Sequence, residues 1–116
     1  MKVIVAAPDN DDCIFKLSIT KEGDLVGDIF VDQHPNDDYG AEVHLEIVPK
    51  WRCKWLSRTL RDEIMSLLVH TAKKQRISVL YSTALTEISP RLLEFFGFIE
   101  YYSKQPKTYY YIDTRV

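Results

Sequence analysis

Cysteine is scarce in this chain. Cys13 and Cys53 are the only two, far apart and without a CxxC or Cys/His spacing. That excludes a disulfide framework and points to free thiols in a reducing cytoplasm. Long apolar runs are missing as well: none approaches the roughly 20 residues of a membrane span. The opening Met1–Ala6 reads as a strand rather than a signal sequence. Nor is there a basic excess, since 15 Lys and Arg against 17 Asp and Glu leave a formal charge of −2. A general nucleic-acid binder needs a basic footprint, so that class is excluded. No repeat, linker or low-complexity tract divides the 116 residues, and one domain spanning 1–116 is expected. Asp9, Asp11, Asp12, His34, Asp37 and Asp38 fit no calcium-loop spacing and lack the glycine of its sharp turn, so no metal site is expected.

What is present is a regular alternation of elements. Strands are expected over Lys2–Ala6, Cys13–Thr20, Leu25–Asp32 and Glu42–Val48, the second and third joined by a hairpin turn at Lys21–Asp24. Leu56, Leu60, Ile64, Leu67 and Thr71 stand at helical spacing, widened by Met65 and Leu68, and predict a helix from about Leu56 to Lys74. Lys73, Lys74 and Arg76 suit its C-terminal end. Ile77–Ala84 is strand-like and follows at once, which makes strand–helix–strand with a parallel pair the natural arrangement. Ser89 as N-cap, Pro90 at the first helical position and Gly97 as a left-handed stop frame a short helix. Phe98–Lys104 and Lys107–Asp113 close the chain as two strands.

The junction between Ile47 and Leu60 is the most informative stretch. A strand there runs through Pro49 into a turn holding Arg52, Lys54 and Arg58, then into the long helix. Unpaired N–H groups at a helix start, with cations around them, make a plausible seat for a phosphate-bearing ligand. Glu46 and His44 share one face of the preceding strand and are the candidate bases for deprotonating an amine.

This junction resembles the acyl-CoA pyrophosphate loop of the GNAT-type N-acetyltransferases. The family shows Val-x-Pro-x-x-Arg-x-x-Gly-x-Gly/Ala, and Ile47, Pro49, Arg52, Trp55 and Ser57 stand in those places. Thr86 to Phe98 is similar to a second motif, Asn-x-x-Ala-x-x-Phe-Tyr-x-x-x-Gly-Phe, with Thr86 for Asn, Ser89 for Ala, Leu92 for Phe, Leu93 for Tyr, and Gly97-Phe98 intact. The resemblance covers roughly Glu42 to Asp113. It implies an α/β (α+β) fold: a mixed, splayed sheet with one long and one short helix. The two helices usual between the first strands are reduced or missing, since only about six residues separate those strands.

The resemblance also implies acetyl-CoA as co-substrate and an amine as acceptor. The arm would lie on Ile47 and Val48, the pyrophosphate on Arg52, Cys53, Lys54, Trp55, Leu56, Ser57 and Arg58, with Thr86, in the place of the second motif's Asn, as a further cofactor-binding residue. Two departures matter. Trp55 replaces a glycine that lets the backbone approach the pyrophosphate, so its ring either stacks outward on the ligand or fills the cavity. Leu93 replaces the tyrosine that commonly protonates the departing thiolate, and leucine donates no proton. An alternative is therefore an inactive GNAT-type scaffold that works through protein contacts, with Trp55 and the tyrosines as contact surface. Tyr101, Tyr102, Tyr109, Tyr110 and Tyr111 alternate along the last two strands, so one set packs inward and the other is exposed, which suggests a homodimer. So short a version of the fold also suggests a compact genome such as a phage's.

Overall fold

A computed structural model describes residues 1–84 and 89–115. It contains one seven-stranded sheet: β1 (Lys2–Ala6), β2 (Cys13–Lys21), β3 (Asp24–Gln33), β4 (Gly40–Ile47), β5 (Val79–Ala84), β6 (Ile99–Lys104) and β7 (Lys107–Asp113). Their spatial order is β1-β2-β3-β4-β5-β7-β6, and only the β4–β5 pair is parallel. The helices are α1 (Arg58–Lys74) and α2 (Pro90–Phe95). Residues 7–12 join β1 to β2 without a helix. The expected mixed sheet with a shortened front end is what forms.

Each element follows from local chemistry. The β2–β3 turn puts Glu22 and Gly23 both at positive φ, 52° and 86°, the conformation that matches strand twist in a tight hairpin. Helix α1 begins at Arg58, two residues later than its apolar spacing suggests. Ser57 caps it, accepting from the Leu60 amide at 3.1 Å. Leu56 is therefore outside the helix and half-buried in the loop before it. Ser89 caps α2 in the same way, with Pro90 behind it and Gly97 at φ 95° after its end.

The sheet has two unlike faces. Phe15, Leu17, Ile29, Val31, Ala41, Val43, Leu80 and Tyr110 point to one side and join Leu60, Ile64 and Leu68 of α1 and Leu93 of α2 in a single core. Both helices lie there, and together they line a small apolar cavity of about 30 Å³ with Val43 and Ser82. The alternate residues point to the other side. By register these are Ser18, Asp28, Phe30, Asp32, Glu42, His44, Glu46, Tyr81, Tyr109 and Tyr111. Among the described residues no helix covers them.

Candidate functional site

Strands β4 and β5 pair only at Gly40–Val79, Ala41–Leu80 and Glu42–Tyr81. Beyond that point they part, although both continue. β4 stays with β3 as far as Ile47–Gly27, and β5 stays with β7 as far as Ala84–Thr108. Each strand is thus held from its outer side, and a wedge opens between them. One side-chain bond spans its narrow end, where the Ser82 hydroxyl donates to the Val43 carbonyl at 3.1 Å.

Backbone alternation decides which groups line the wedge. The Val48 amide donates to the Val26 carbonyl at 2.9 Å, toward β3. Strand geometry therefore turns the N–H and C=O groups of Leu45 and Ile47 the other way, into the wedge. Val48 is not among them: its carbonyl also accepts from the Trp51 amide at 2.8 Å. Of the two residues expected to hold an arm, Ile47 therefore turns its backbone groups into the wedge and Val48 does not. Gly27 lets β3 and β4 approach closely here, since a Cβ there would lie 2.5 Å from Ile47 Cδ1 and 2.6 Å from the Glu46 carbonyl.

The loop between β4 and α1 is longer and more structured than a strand feeding straight into a helix. A 3₁₀ turn spans Pro49–Trp51, and its closing bonds consume the Arg52 and Lys54 amides, which donate to Pro49 and Trp51 carbonyls at 3.3 and 3.0 Å. Cys53 follows at φ 64°, reversing the chain. Trp55 then turns inward. It is 8% exposed, part of the core, with its ring 6.4 Å from that of Phe96. Neither expectation for the ring, outward stacking or plugging, describes it. The indole forms one wall of a cleft that remains open, at about 770 Å³.

That cleft gathers Glu46 and Ile47 from β4, Arg52, Cys53, Trp55 and Leu56 from the loop, and Ser89 and Leu92 at the start of α2. Six residues anticipated for the site therefore meet. Lys54 and Arg58 are exposed and do not line it, and Ser57 is occupied as the helix cap. His44 lies on the uncovered face instead, 3.4 Å from Asp32 and 3.6 Å from Glu42. Thr86 lies outside the described residues. Leu45, Ser89 and Leu92 also line the cleft and were not anticipated there; Leu45 shares the strand parity of Ile47, a signal that could have found it. Leu93, in the place of the family's tyrosine, is 5% exposed and packed in the core. Among the described residues no ion pair engages Glu46, and no group of three or more metal-ligating side chains occurs.

A large perturbation of a titrating group lies on the uncovered face. Burial, then a 2.8 Å hydrogen bond to Asp37, push the Tyr81 hydroxyl up to about 12. The Asp37 carboxyl is correspondingly lowered, first by the Tyr39 amide and then by Tyr81. This pair pins the loop before β4 onto β5 beside the closed end of the wedge.

No protein-family model and no curated protein matches the sequence. Solved structures do. YncA, an acetyltransferase candidate of Salmonella typhimurium solved with its cofactor acetyl-CoA, superposes with a TM-score of 0.67 at 18% identity, over 86% of this chain and 64% of that one. The N-acetyltransferase PseH of Campylobacter jejuni, in complex with acetyl coenzyme A, gives 0.65 at 15%, over 90% and 70%. A ribosomal-protein-alanine N-acetyltransferase of Brucella melitensis gives 0.65 at 18%, over 85% and 68%. The chain thus spans about two thirds of the length of the proteins it superposes on. At such identities the likeness speaks for architecture, and the chain has the fold of the GNAT acetyltransferases.

Proposed function

We propose that this chain binds an acyl-CoA in the wedge between β4 and β5 and transfers its acyl group to an amine. The observation that carries the reading is the early parting of the two strands. It leaves the backbone groups of Leu45 and Ile47 available to pair with an extended amide-bearing arm. Arg52 lines the cleft and would take the negative charge of the pyrophosphate. The acetyl-CoA complexes of YncA and PseH support the choice of co-substrate.

In this scheme the amine nitrogen attacks the thioester carbonyl directly. Glu46 accepts the proton that the nitrogen sheds, the C–S bond breaks, and the electron pair leaves on sulfur. A free thiol has a pKa of about 8.5, so the thiolate is a fair leaving group and takes its proton from water. Leu93 supplies none. Glu46→Gln is expected to lower kcat about 10²- to 10⁴-fold, the usual worth of a positioned base.

A second reading, an inactive scaffold acting through protein contacts and a β6–β7 homodimer, is favoured by the apolar Trp55 and Leu93 in place of glycine and tyrosine. Buried Trp55 offers no contact surface, so the contacts of such a scaffold would fall to the tyrosine strands alone. Melting curves separate the two. Acetyl-CoA at a hundredfold its Kd stabilises the native state by about 2.7 kcal/mol. A clear upward shift in Tm supports the transferase, and none at millimolar concentration supports the scaffold.

A further inference from the structure

The uncovered face of the sheet is chemically divided. Its β3–β4 half carries Asp28, Asp32, Glu42 and Glu46. Its β5–β7–β6 half carries tyrosines in mutual contact: Tyr101 lies 6.2 Å from Tyr81, 6.2 Å from Tyr109 and 5.8 Å from Tyr111, ring to ring. The halves meet at the Glu42–Tyr81 pair, where the wedge begins. By register Lys2, Lys104 and Lys107 lie on this face, at its two edges on β1 and the β6–β7 hairpin, away from the β3–β4 carboxylates. Lys16 is bound to Asp9 at 2.9 Å, and Arg115 holds Asp113 at 2.9 Å. His44 sits between Asp32 and Glu42. In a chain whose whole formal charge is −2, four carboxylates gathered on the exposed side of two adjacent strands, β3 and β4, are a strong local concentration.

We propose that this face docks a lysine-rich polypeptide segment, with Asp32 and Glu42 taking its ammonium groups and the Tyr81–Tyr101–Tyr109–Tyr111 cluster taking its stems and a further cation. Both halves select the same chemistry: carboxylates attract ammonium groups by charge, and tyrosine faces attract them through the ring quadrupole. Lysine stems are apolar enough to lie along the rings. Tyr101, 51% exposed, offers its ring to such a partner. Burial, then Tyr109, then the Glu42 carboxylate push the Tyr101 hydroxyl up, which keeps it a neutral phenol beside that charge. A polypeptide fits better than a small polyamine, because small ligands are held in concave sites and a bare sheet face is broad and open. Glu46 stands at the wedge end of the acidic row. If the proposed transfer holds, a docked segment would present a lysine amine there as acceptor.

The test reads binding in the absence of acetyl-CoA, so its failure and that of the transfer reading are separately visible. An octalysine peptide is titrated into the full chain and followed by amide chemical shifts. The expected shifts fall on β3, β4, β5 and β7, and weaken as salt is raised. The Asp32→Asn/Glu42→Gln variant is expected to bind about tenfold less tightly. Tyr101→Ser is expected to lose about two- to fivefold, and both variants should melt like the parent. Octalysine without effect at millimolar concentration overturns the proposal, as does equal binding by the charge variant. Spermine binding as tightly as octalysine would assign the face to a small polyamine. A dimer with this face buried, seen by sedimentation and by shifts without added peptide, would assign it to a second copy. Either result also overturns the proposal.

Discussion

The two faces of the sheet divide the work of the molecule. Toward α1 and α2 the strands present Leu17, Val31, Leu80 and Tyr110, almost wholly removed from water, and two helices seal them. Toward the other side they present carboxylates, tyrosines and one histidine, open to solvent. Burial of apolar area stabilises the fold, so substitutions on the first side should be felt in stability. On the second they should be felt in recognition and in pH dependence. The wedge is where the sides communicate. Ile47 and Trp55 line it from the covered side, and Glu46 reaches it from the open side.

The sharpest blow to the covered side is Trp55→Gly. A buried indole packed near Phe96 is removed and a flexible residue is put in its place. The expected loss is about 3–5 kcal/mol, read as a fall in the denaturant midpoint. A loss under about 1 kcal/mol would mean the ring spends its time outside the core. That result would revive the stacking role that its burial now argues against.

Gly27→Ala strikes the same side at the wedge itself. The new methyl would meet both the Ile47 side chain and the Glu46 carbonyl, and a backbone oxygen cannot swing aside. Overpacking of this kind costs about 1–3 kcal/mol. Because β4 must shift where it lines the cleft, acetyl-CoA binding should fall together with stability. Retained affinity in a destabilised variant would show that the Ile47 backbone is not part of the site.

Tyr81→Phe tests the open side. At neutral pH it should cost about 1 kcal/mol, the worth of one hydrogen bond. Its signature is in alkali. The folded state holds the Tyr81 proton more tightly than the unfolded chain does, with a pKa of about 12 against an ordinary 10.0. That contribution is fully present below about pH 10 and is lost as the pH rises through about 12. Asp37 has the opposite sign: its lowered pKa favours folding above its ordinary value of 3.8, and this is lost as the pH falls. In the phenylalanine variant the loss of stability above pH 10 should become shallower, measured by denaturation across the alkaline range.

Much of this arrangement was legible in the chain. Helical spacing from Leu60 to Leu68 and the Ser89 cap depend on near neighbours, and local chemistry fixes them. So does the parity of β4, which put Glu42, His44 and Glu46 together. The wedge was anticipated from resemblance, but its contents depend on contacts distant in sequence. Nothing near Trp55 says that Phe96 will receive its ring. Nothing near Val48 says that Val26 will take its amide. The apolar stripe also placed the helix start at Leu56, because Leu56 continues the spacing while being buried by the loop. Coverage of a sheet face is equally non-local, and the bare side became visible only once both helices were found on the other.

The smallest effects should separate two cations that look alike in sequence. Arg52 and Lys54 stand two positions apart in the basic turn, both exposed, and both have their amides engaged within the loop. Arg52 lines the cleft and Lys54 does not. Either change to alanine should alter stability by no more than about 0.5 kcal/mol, as for exposed positions generally. Arg52→Ala should nevertheless weaken acetyl-CoA binding about tenfold, the order expected when a charge-assisted contact worth about 1.5 kcal/mol is lost. Lys54→Ala should leave the affinity unchanged. Calorimetric titration of both variants decides the matter. Equal losses would mean that the loop attracts the ligand only by its summed charge, and the cleft would then have no defined pyrophosphate seat.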